Sequence, residues 1–330
     1  MKNHVKAVGL FSGGLDSLLA AKLMLMQHID THLITFVTPF CPSPWPTQKK
    51  TYWTHTDLGV KIKIVTLGTN YIEMVKNPQF GYGKNMNPCI DCRVYMIKKA
   101  KEYMQKIKAQ FIFTGEVLGQ RPMTQHKKNL EMIERKTGLK GLIVRPLSAK
   151  NLEITIPEKK GWIDREKLLD LSGRGRKEQI ILAQKVGITS FPWPAGGCLL
   201  TDPQFTQRIE DAFNHGEDTQ RYLTRLRYGR HFRLENGVKA IVGRNEQENE
   251  ILTNLADEKD SLIEIIGCGS PRTLLQGKNK KDVAMAAAIC ARYSDCTKNR
   301  IQAHVWTIST PKKTITIQPL PDQEVKKFRI

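Results

Sequence analysis

The sequence predicts an α/β fold, a doubly wound parallel sheet followed by a second, smaller α+β domain. Three observations carry this prediction. Short β-branched runs alternate with helical stretches through the first half of the chain, which is the pattern of a parallel sheet with crossover helices. A glycine turn sits between the first of those runs and the first helix. Beyond Phe205 the texture changes to a basic, mixed segment. In order, Ala7–Phe11, His32–Val37, Lys61–Leu67, Phe111–Thr114 and Leu142–Pro146 read as strands. Ser17–Gln27 and Tyr95–Ile107 carry helical spacing, with cations toward their C-termini, the end where the helix dipole favours them. Pro39, Pro42, Pro44 and Pro46 make Pro39–Thr47 a rigid loop. Trp162–Leu171 and Lys177–Val186 read as two further helices joined by the flexible basic stretch Ser172–Arg176. The Pro- and Gly-rich run from Phe191–Pro194 to Asp202–Pro203 marks a boundary, giving domains 1–204 and 205–330. In the second domain, Val238–Val242 reads as a strand, Asp282–Tyr293 as a small-residue helix, and Ile301–Ser309 with Thr314–Gln318 as a strand pair.

At 330 residues the chain suits two domains and has ample length for a buried core. Its 40% hydrophobic and 25% charged residues are ordinary globular composition. The charge balance is not ordinary. With 52 Lys+Arg against 32 Asp+Glu the net charge is +20, which points to a polyanionic partner, nucleic acid or an anionic membrane. No apolar run approaches the ~20 residues that span a bilayer. Met1–Lys6 is polar, and Ser12, Gly13, Gly14 and Asp16 interrupt the apolar stretch after it, so no signal peptide is expected. Seven cysteines, an odd count, suggest reduced thiols in the cytoplasm used for metal or catalysis rather than a disulfide framework.

The strongest local signal is Ser12-Gly13-Gly14-Leu15-Asp16-Ser17, directly after a strand and before a helix. A glycine turn at a helix N-terminus aims unpaired N–H groups and the positive end of the dipole at an anion. Ser12 and Ser17 add hydroxyl donors. Asp16 would repel a phosphate, a conflict that a Mg²⁺ ion bridging its carboxylate to the phosphate resolves. The spacing is not that of a Walker A loop. Elsewhere, Cys89 and Cys92 stand three apart in Asn87-Pro88-Cys89-Ile90-Asp91-Cys92 at a helix start, and Cys198 lies on the glycine turn Pro194-Ala195-Gly196-Gly197-Cys198. Two thiols are too few for a closed zinc site. Three suit an iron–sulfur cluster with one open iron, while a redox or structural pair and a small turn residue fit the spacing equally well.

These motifs resemble a known family. SGGLDS after the first strand is similar to the loop of the PP-loop ATPases, with their adenine nucleotide alpha hydrolase-like fold. NPCIDC, TGEVLGQRPM, SGRGRKEQ and PAGGCLLTDP follow in the order seen in the tRNA-thiolating branch, close to the tRNA 2-thiouridylases, over roughly residues 5–205. The resemblance implies that Ser12, Gly13, Gly14, Asp16 and Ser17 hold the pyrophosphate of ATP. It implies that Gly115 and Gln120 border the nucleotide, and Arg121 is placed to stabilise phosphate charge. It also implies that Cys89, Cys92 and Cys198 act in sulfur transfer, as ligands of a [4Fe-4S] cluster or in a cluster-free persulfide relay. The sulfur donor would be sulfide or a persulfide carrier. Arg174, Arg176 and Lys177 form a basic cluster usable for phosphate or RNA.

The C-terminal part departs from the β-barrel that ends the usual 2-thiouridylases. Its RLRYGRHFRL run and the following KAIVGRNEQEN resemble the RNA-binding domain of NFACT-type proteins. Arg225, Arg227, Arg230 and Arg233 are expected on phosphates, with Tyr228 and Phe232 available to stack on bases or to pack inward. Cys268, Cys290 and Cys296 lack ligand spacing, and no chemistry is expected of His55, His126, His231 or His304. The expected activity is an ATP-dependent, cytoplasmic tRNA sulfurtransferase that adenylates a uridine carbonyl and replaces its oxygen with sulfur. The alternative is a PP-loop ligase or amidotransferase acting on a small metabolite.

Overall fold

In a computed structural model, residues 5–41, 58–189, 191 and 197–330 are described, with the backbone alone for 53–55. The chain divides into two compact units, Met1–Thr201 and Asp202–Ile330.

The first unit contains strands β1 (Lys6–Leu10), β2 (Asp30–Val37), β3 (Trp53–His55), β4 (Val60–Thr66), β5 (Phe111–Thr114) and β6 (Ile143–Val144). Its helices are α1 (Leu15–Met26), α2 (Thr69–Lys76), α3 (Cys89–Lys106), α4 (Lys127–Thr137), α5 (Ile156–Lys159) and α6 (Lys177–Lys185). The sheet order is β3-β4-β2-β1-β5-β6. Every pairing is parallel except that of the short edge strand β3 on β4. From β1 the chain winds outward through β2 to β4, then returns to lay β5 on the other side of β1. The crevice beyond the C-terminal ends of β1 and β5 is therefore the switch point of the sheet, where ligands bind in this architecture. Period-two alternation fills both faces. Phe111 and Phe113 pack with α1 and α6, while Ile112 joins Val8, Ile34, Ile97 and Ile133 on the side of α3 and α4.

The expected helix over Trp162–Leu171 is not present; only a single 3₁₀ turn forms, at Arg165–Lys167. Asp164 caps that turn by accepting from the Glu166 N–H. The N–H groups of Leu169 and Leu171 then donate to the carbonyls of Pro146 and Leu147, at 2.9 and 2.8 Å. The segment satisfies its backbone alongside the chain leaving β6, while its apolar residues Ile163, Leu168 and Leu171 still enter the core. Most of the Pro39–Thr47 loop, and Pro194-Ala195-Gly196 before Cys198, lie outside the described residues.

The second unit runs α7 (Pro203–Asn214), α8 (Gln220–Arg225), β7 (Arg230–Arg233), β8 (Lys239–Val242), α9 (Glu246–Leu255), β9 (Ser261–Ile265), β10 (Thr273–Leu275), α10 (Lys280–Arg292), β11 (Ile301–Thr307), β12 (Thr310–Ile317) and α11 (Asp322–Phe328). Its sheet, ordered β12-β11-β9-β10-β8-β7, is antiparallel throughout. Cations that the sequence assigned to RNA are absorbed into this fold. Arg225 is 0% exposed. Its guanidinium donates to the Leu255 carbonyl at 2.6 Å and pairs with Asp260 at 2.5 Å and Asp257 at 3.4 Å. Arg233 pairs with Glu217 at 2.6 Å and Asp211, beside the buried Lys239. Burial would raise the Asp211 carboxyl, but Arg233 and Lys239 hold it below the usual range. Phe232, expected as a candidate for base stacking, is fully buried against Tyr293.

Arg225 and Arg233 are thus structural cations, because a guanidinium already committed to buried carboxylates has no face left for a phosphate. Arg225→Gln is expected to cost about 3–5 kcal/mol, because it leaves Asp260 buried without its partner. Thermal unfolding should show the loss, while the salt dependence of RNA binding stays unchanged.

Candidate active site

The loop after β1 turns at Gly13, whose φ of +78° lies in the left-handed region that favours glycine. Gly14 then opens α1 without a side-chain cap, so the first-turn N–H groups face the crevice. The two serines brace the turn from inside. Ser17 Oγ donates to the Gly14 carbonyl at 2.8 Å and lies 3.3 Å from Ser12 Oγ. From the other side of the switch point, Gly115 comes so close that a Cβ there would fall 2.6 Å from the backbone of Asp16 and Ser17. Gly115 thus has a steric task, keeping the two loops in backbone contact.

Asp16 joins the two loops chemically. Its Oδ2 accepts from Gln120 Nε2 at 3.1 Å and lies 3.7 Å from the Arg176 guanidinium. Its Oδ1 is buried and has no hydrogen-bond partner. An orphaned carboxylate oxygen beside a phosphate-type loop fits a divalent cation, since Mg²⁺ is commonly held by one or two carboxylates plus substrate phosphate oxygens. The Gln120 loop is itself pinned. Leu118 bridges Ser172, Gly173 N–H donates to the Leu118 carbonyl at 2.7 Å, and Gly119 N–H donates to Gln125. Arg176 is thereby drawn toward Asp16, while Arg174 and Lys177 remain exposed nearby.

Cys89 is the first residue of α3, and Asp91 fixes this helix start by accepting from the Gln79 and Phe80 N–H groups at 2.9 and 3.0 Å. The Cys89 thiol donates to Asn87 Oδ1 at 3.1 Å. Cys92 Sγ lies 3.2 Å from Tyr71 Oη, and Cys198 Sγ points at the Phe40 carbonyl at 3.8 Å. Burial pushes the Cys92 thiol up to about 11 and the Cys198 thiol up to about 12. Burial also raises Cys89, but Arg121 and Arg93 oppose it. Among the described residues no group of three or more His, Cys, Asp or Glu is arranged to hold a metal ion. Each thiol has its own polar neighbour, and Cys89, Cys92 and Cys198 lie within electrostatic reach of one another and of Cys41.

Several participants escaped the sequence reading. Glu116, beside Gly115, is 2% exposed and takes Arg93 at 3.1 Å and Arg145 at 3.1 Å. Burial would raise its carboxyl, yet the two guanidiniums and the Thr114 hydroxyl keep it below the usual range. Tyr71, buried between Phe40 and Tyr95, faces Cys92. Cys41 follows Phe40 and lies 3.4 Å from the Thr38 hydroxyl. Glu116 stood inside a motif already quoted; Tyr71 and Cys41 carry no spacing signal. In the second unit, Arg230 lies 4.7 Å over Tyr293 and donates to the Gly243 carbonyl, and Arg227 lies 5.8 Å from Tyr228. Both are half-buried.

Residues 3–157 match the family described as thiamine biosynthesis protein (ThiI), and residues 229–329 match the NFACT protein RNA binding domain. The first half of the chain is thus similar to the ThiI family and the C-terminal third to the NFACT RNA-binding domain. The first match ends before Arg174–Lys177 and Cys198, and the second begins after Arg225 and Arg227. Similar solved structures include a 4-thiouridine synthetase–RNA complex with bound ATP, at 20% identity and a TM-score of 0.37, covering 67% of this chain and 53% of that one. The chain therefore spans about half the length of that synthetase. Another is the C-terminal part of a fibronectin/fibrinogen-binding protein from Streptococcus suis, at 12% identity and a TM-score of 0.28, covering 52% of this chain and 83% of that one. No curated protein matches the chain. Among the described residues, no helix is long and apolar enough to cross a membrane.

Two outcomes check the site. Gly115→Ala should weaken ATP binding, read by calorimetry, because the methyl group forces the Asp16 backbone away. Of Cys89, Cys92 and Cys198, Cys89 should alkylate first with iodoacetamide near neutral pH, read by peptide mass spectrometry, because the other two thiols are held protonated.

Proposed function

We propose that this chain is an ATP-dependent tRNA sulfurtransferase that converts a uridine carbonyl to a thiocarbonyl. The observation that carries this reading is the link across the switch point: Asp16 of the glycine loop, with one carboxylate oxygen free, accepts from Gln120, while Glu116 at the start of the same loop holds Arg93 of the helix that carries Cys89 and Cys92. A nucleotide site and a sulfur site share one crevice. The match of the first domain to the ThiI family and of the second to an RNA-binding domain supports the same assignment.

A uridine carbonyl oxygen is a poor leaving group, so direct replacement by sulfur is slow. Attack of that oxygen on the α-phosphate of ATP makes AMP the leaving group and releases pyrophosphate toward the first-turn N–H groups, with Ser12 and Ser17 beside them. Asp16 would hold a Mg²⁺ ion through its free oxygen, which supplies charge neutralisation on the phosphates. Arg176, at the same carboxylate, adds a fixed positive charge. The outer sulfur of a persulfide on Cys89 then attacks the activated carbon, AMP departs with the oxygen, and the base stays joined to Cys89 through an S–S bond. Cys89, at the helix N-terminus and beside Arg121 and Arg93, is the thiol most readily ionised and takes the nucleophilic role. The thiol of Cys92 or Cys198 attacks the Cys89 sulfur, which breaks that S–S bond, frees the thiocarbonyl and leaves a disulfide that an external thiol reduces. The sulfur donor in this route is a persulfide carrier, which passes its outer sulfur to Cys89 and leaves as a thiol, and the reaction belongs to the cytoplasm.

Asp16→Ala should abolish pyrophosphate release while tRNA affinity survives, both measured on one preparation; near-normal release would remove Asp16 from the mechanism. Ser at Cys89, Cys92 or Cys198 should show the reverse split, with pyrophosphate still released and thiouridine absent from the tRNA by nucleoside mass spectrometry. Ammonia-dependent ATP hydrolysis without RNA would instead favour a ligase.

A further inference from the structure

Arg225 is buried and Arg233 is held by Asp211 and Glu217, so the phosphate-binding cations of the second domain are sought elsewhere. Its sheet is covered unequally. On one face α10 packs through Ala286, Ile289 and Cys290 against Ile263, Ala303 and Ile317. On the other face α9 covers only part of the sheet, where Leu252 and Ala256 meet Ile241, Leu262 and Leu274. The register of β9, β11 and β12 sets Glu264, His304 and Thr314 in one row across that second face, with Gln302 and Thr316 in a neighbouring row. Gln302, Lys312, Thr314 and Thr316 are exposed. This half of the face is open to solvent and polar, apart from one aromatic ring.

That ring is Trp306, paired across from Leu262 and half-buried at the margin of the α9 core. The Arg272 guanidinium and the Lys312 ammonium each lie 4.8 Å from its centre. Glu264 gathers the cations, pairing with Arg272 at 2.8 Å, with Lys312, and with His304 at 3.5 Å. One carboxylate cannot neutralise two permanent cations, so the patch keeps a positive surplus. Exposed Lys298 and Arg300 lead into β11 and add to it. An open antiparallel face with an aromatic ring, flanking cations and hydroxyl and amide groups has the chemistry that receives unpaired bases: stacking on the ring, phosphates on the cations, base edges on the polar side chains.

We propose that the open half of this sheet, centred on Trp306, Arg272 and Lys312, binds a single-stranded stretch of RNA. The proposal rests on the RNA-binding reading of the second domain and gives that reading a location. The test uses the full chain, a labelled ten-nucleotide oligouridine and an unmodified tRNA transcript, with anisotropy titrations over a range of KCl concentrations. Trp306→Ala should weaken oligouridine binding about 5- to 150-fold, the range of one lost base stack. Trp306→Phe should keep most of the affinity and, with its thermal unfolding, shows that the face still folds. The double substitution Arg272→Gln/Lys312→Gln should flatten the salt slope by about 1.4 units, two contacts to a single strand. Wild-type affinity in a folded Trp306→Ala variant, with an unchanged slope in the double variant, would place RNA on another surface. If the wild-type chain bound neither RNA, the RNA-binding reading itself would fall, which is a different result.

Discussion

The first domain depends on the dipeptide Gly115-Glu116 at the end of β5. Gly115 brings its backbone against Asp16 and Ser17, so the nucleotide loop and the loop after β5 move as one body. Glu116 turns the other way, into the protein, and holds Arg93 of α3 and Arg145 beyond β6. Arg145 in turn reaches Glu134 on α4. Through two adjacent residues the anion cradle is fixed to the helix that carries Cys89 and Cys92. A buried carboxylate between two guanidiniums is a poor source of net stability, because desolvation offsets the Coulombic gain, but breaking it leaves an uncompensated buried charge. Its consequence here is geometric. Under the proposed function, reaction partners at the loop and at the thiols would meet at a set distance, which is where the rate advantage of positioning arises.

The environments of the three cysteines differ enough to separate their tasks. Cys89 sits at a helix start with two arginines acting on it, so its thiolate is the more accessible nucleophile despite partial burial. Cys92 is half-buried, with the Tyr71 hydroxyl against its sulfur, and Cys198 faces a backbone carbonyl; burial disfavours the ionised form of both. A protonated thiol held close to a reactive one is suited to accept or resolve sulfur after the first transfer. Three equivalent thiols would give no such order.

Local motifs in this chain were legible where their geometry is local. The strand–glycine–helix junction at Ser12–Ser17 is one, since a turn and the helix after it are set by consecutive residues. Phe111–Thr114 as a buried strand is another, because period-two burial depends on the run itself. The failures have a common physical origin in distant partners. Trp162–Leu171 shows helical spacing, yet its backbone found acceptors on Pro146 and Leu147, which no nearby residue announces. Tyr71 and Cys41 enter the thiol environment because α2 and the loop after β2 fold across the sheet end. Arg225 reads as a surface cation until Asp257 and Asp260, more than thirty residues on, arrive beside it.

That last case bears on how charge should be weighed. A net charge of +20 speaks of a polyanionic partner, but it does not say which cations face it. In the second domain the densest run of arginines is the part drawn furthest into the fold, because a guanidinium with five donors readily satisfies several backbone and carboxylate acceptors at once. Cations left for a partner are those on elements with few acceptors around them, and the edge hairpin of β11 and β12 is such an element. Its Lys312 shares a single carboxylate, Glu264, with Arg272, so an arriving phosphate competes with one acidic partner. The proposed RNA surface therefore draws on the sheet edge rather than on the arginine-rich stretch, although the sequence displays its cations most densely in the latter.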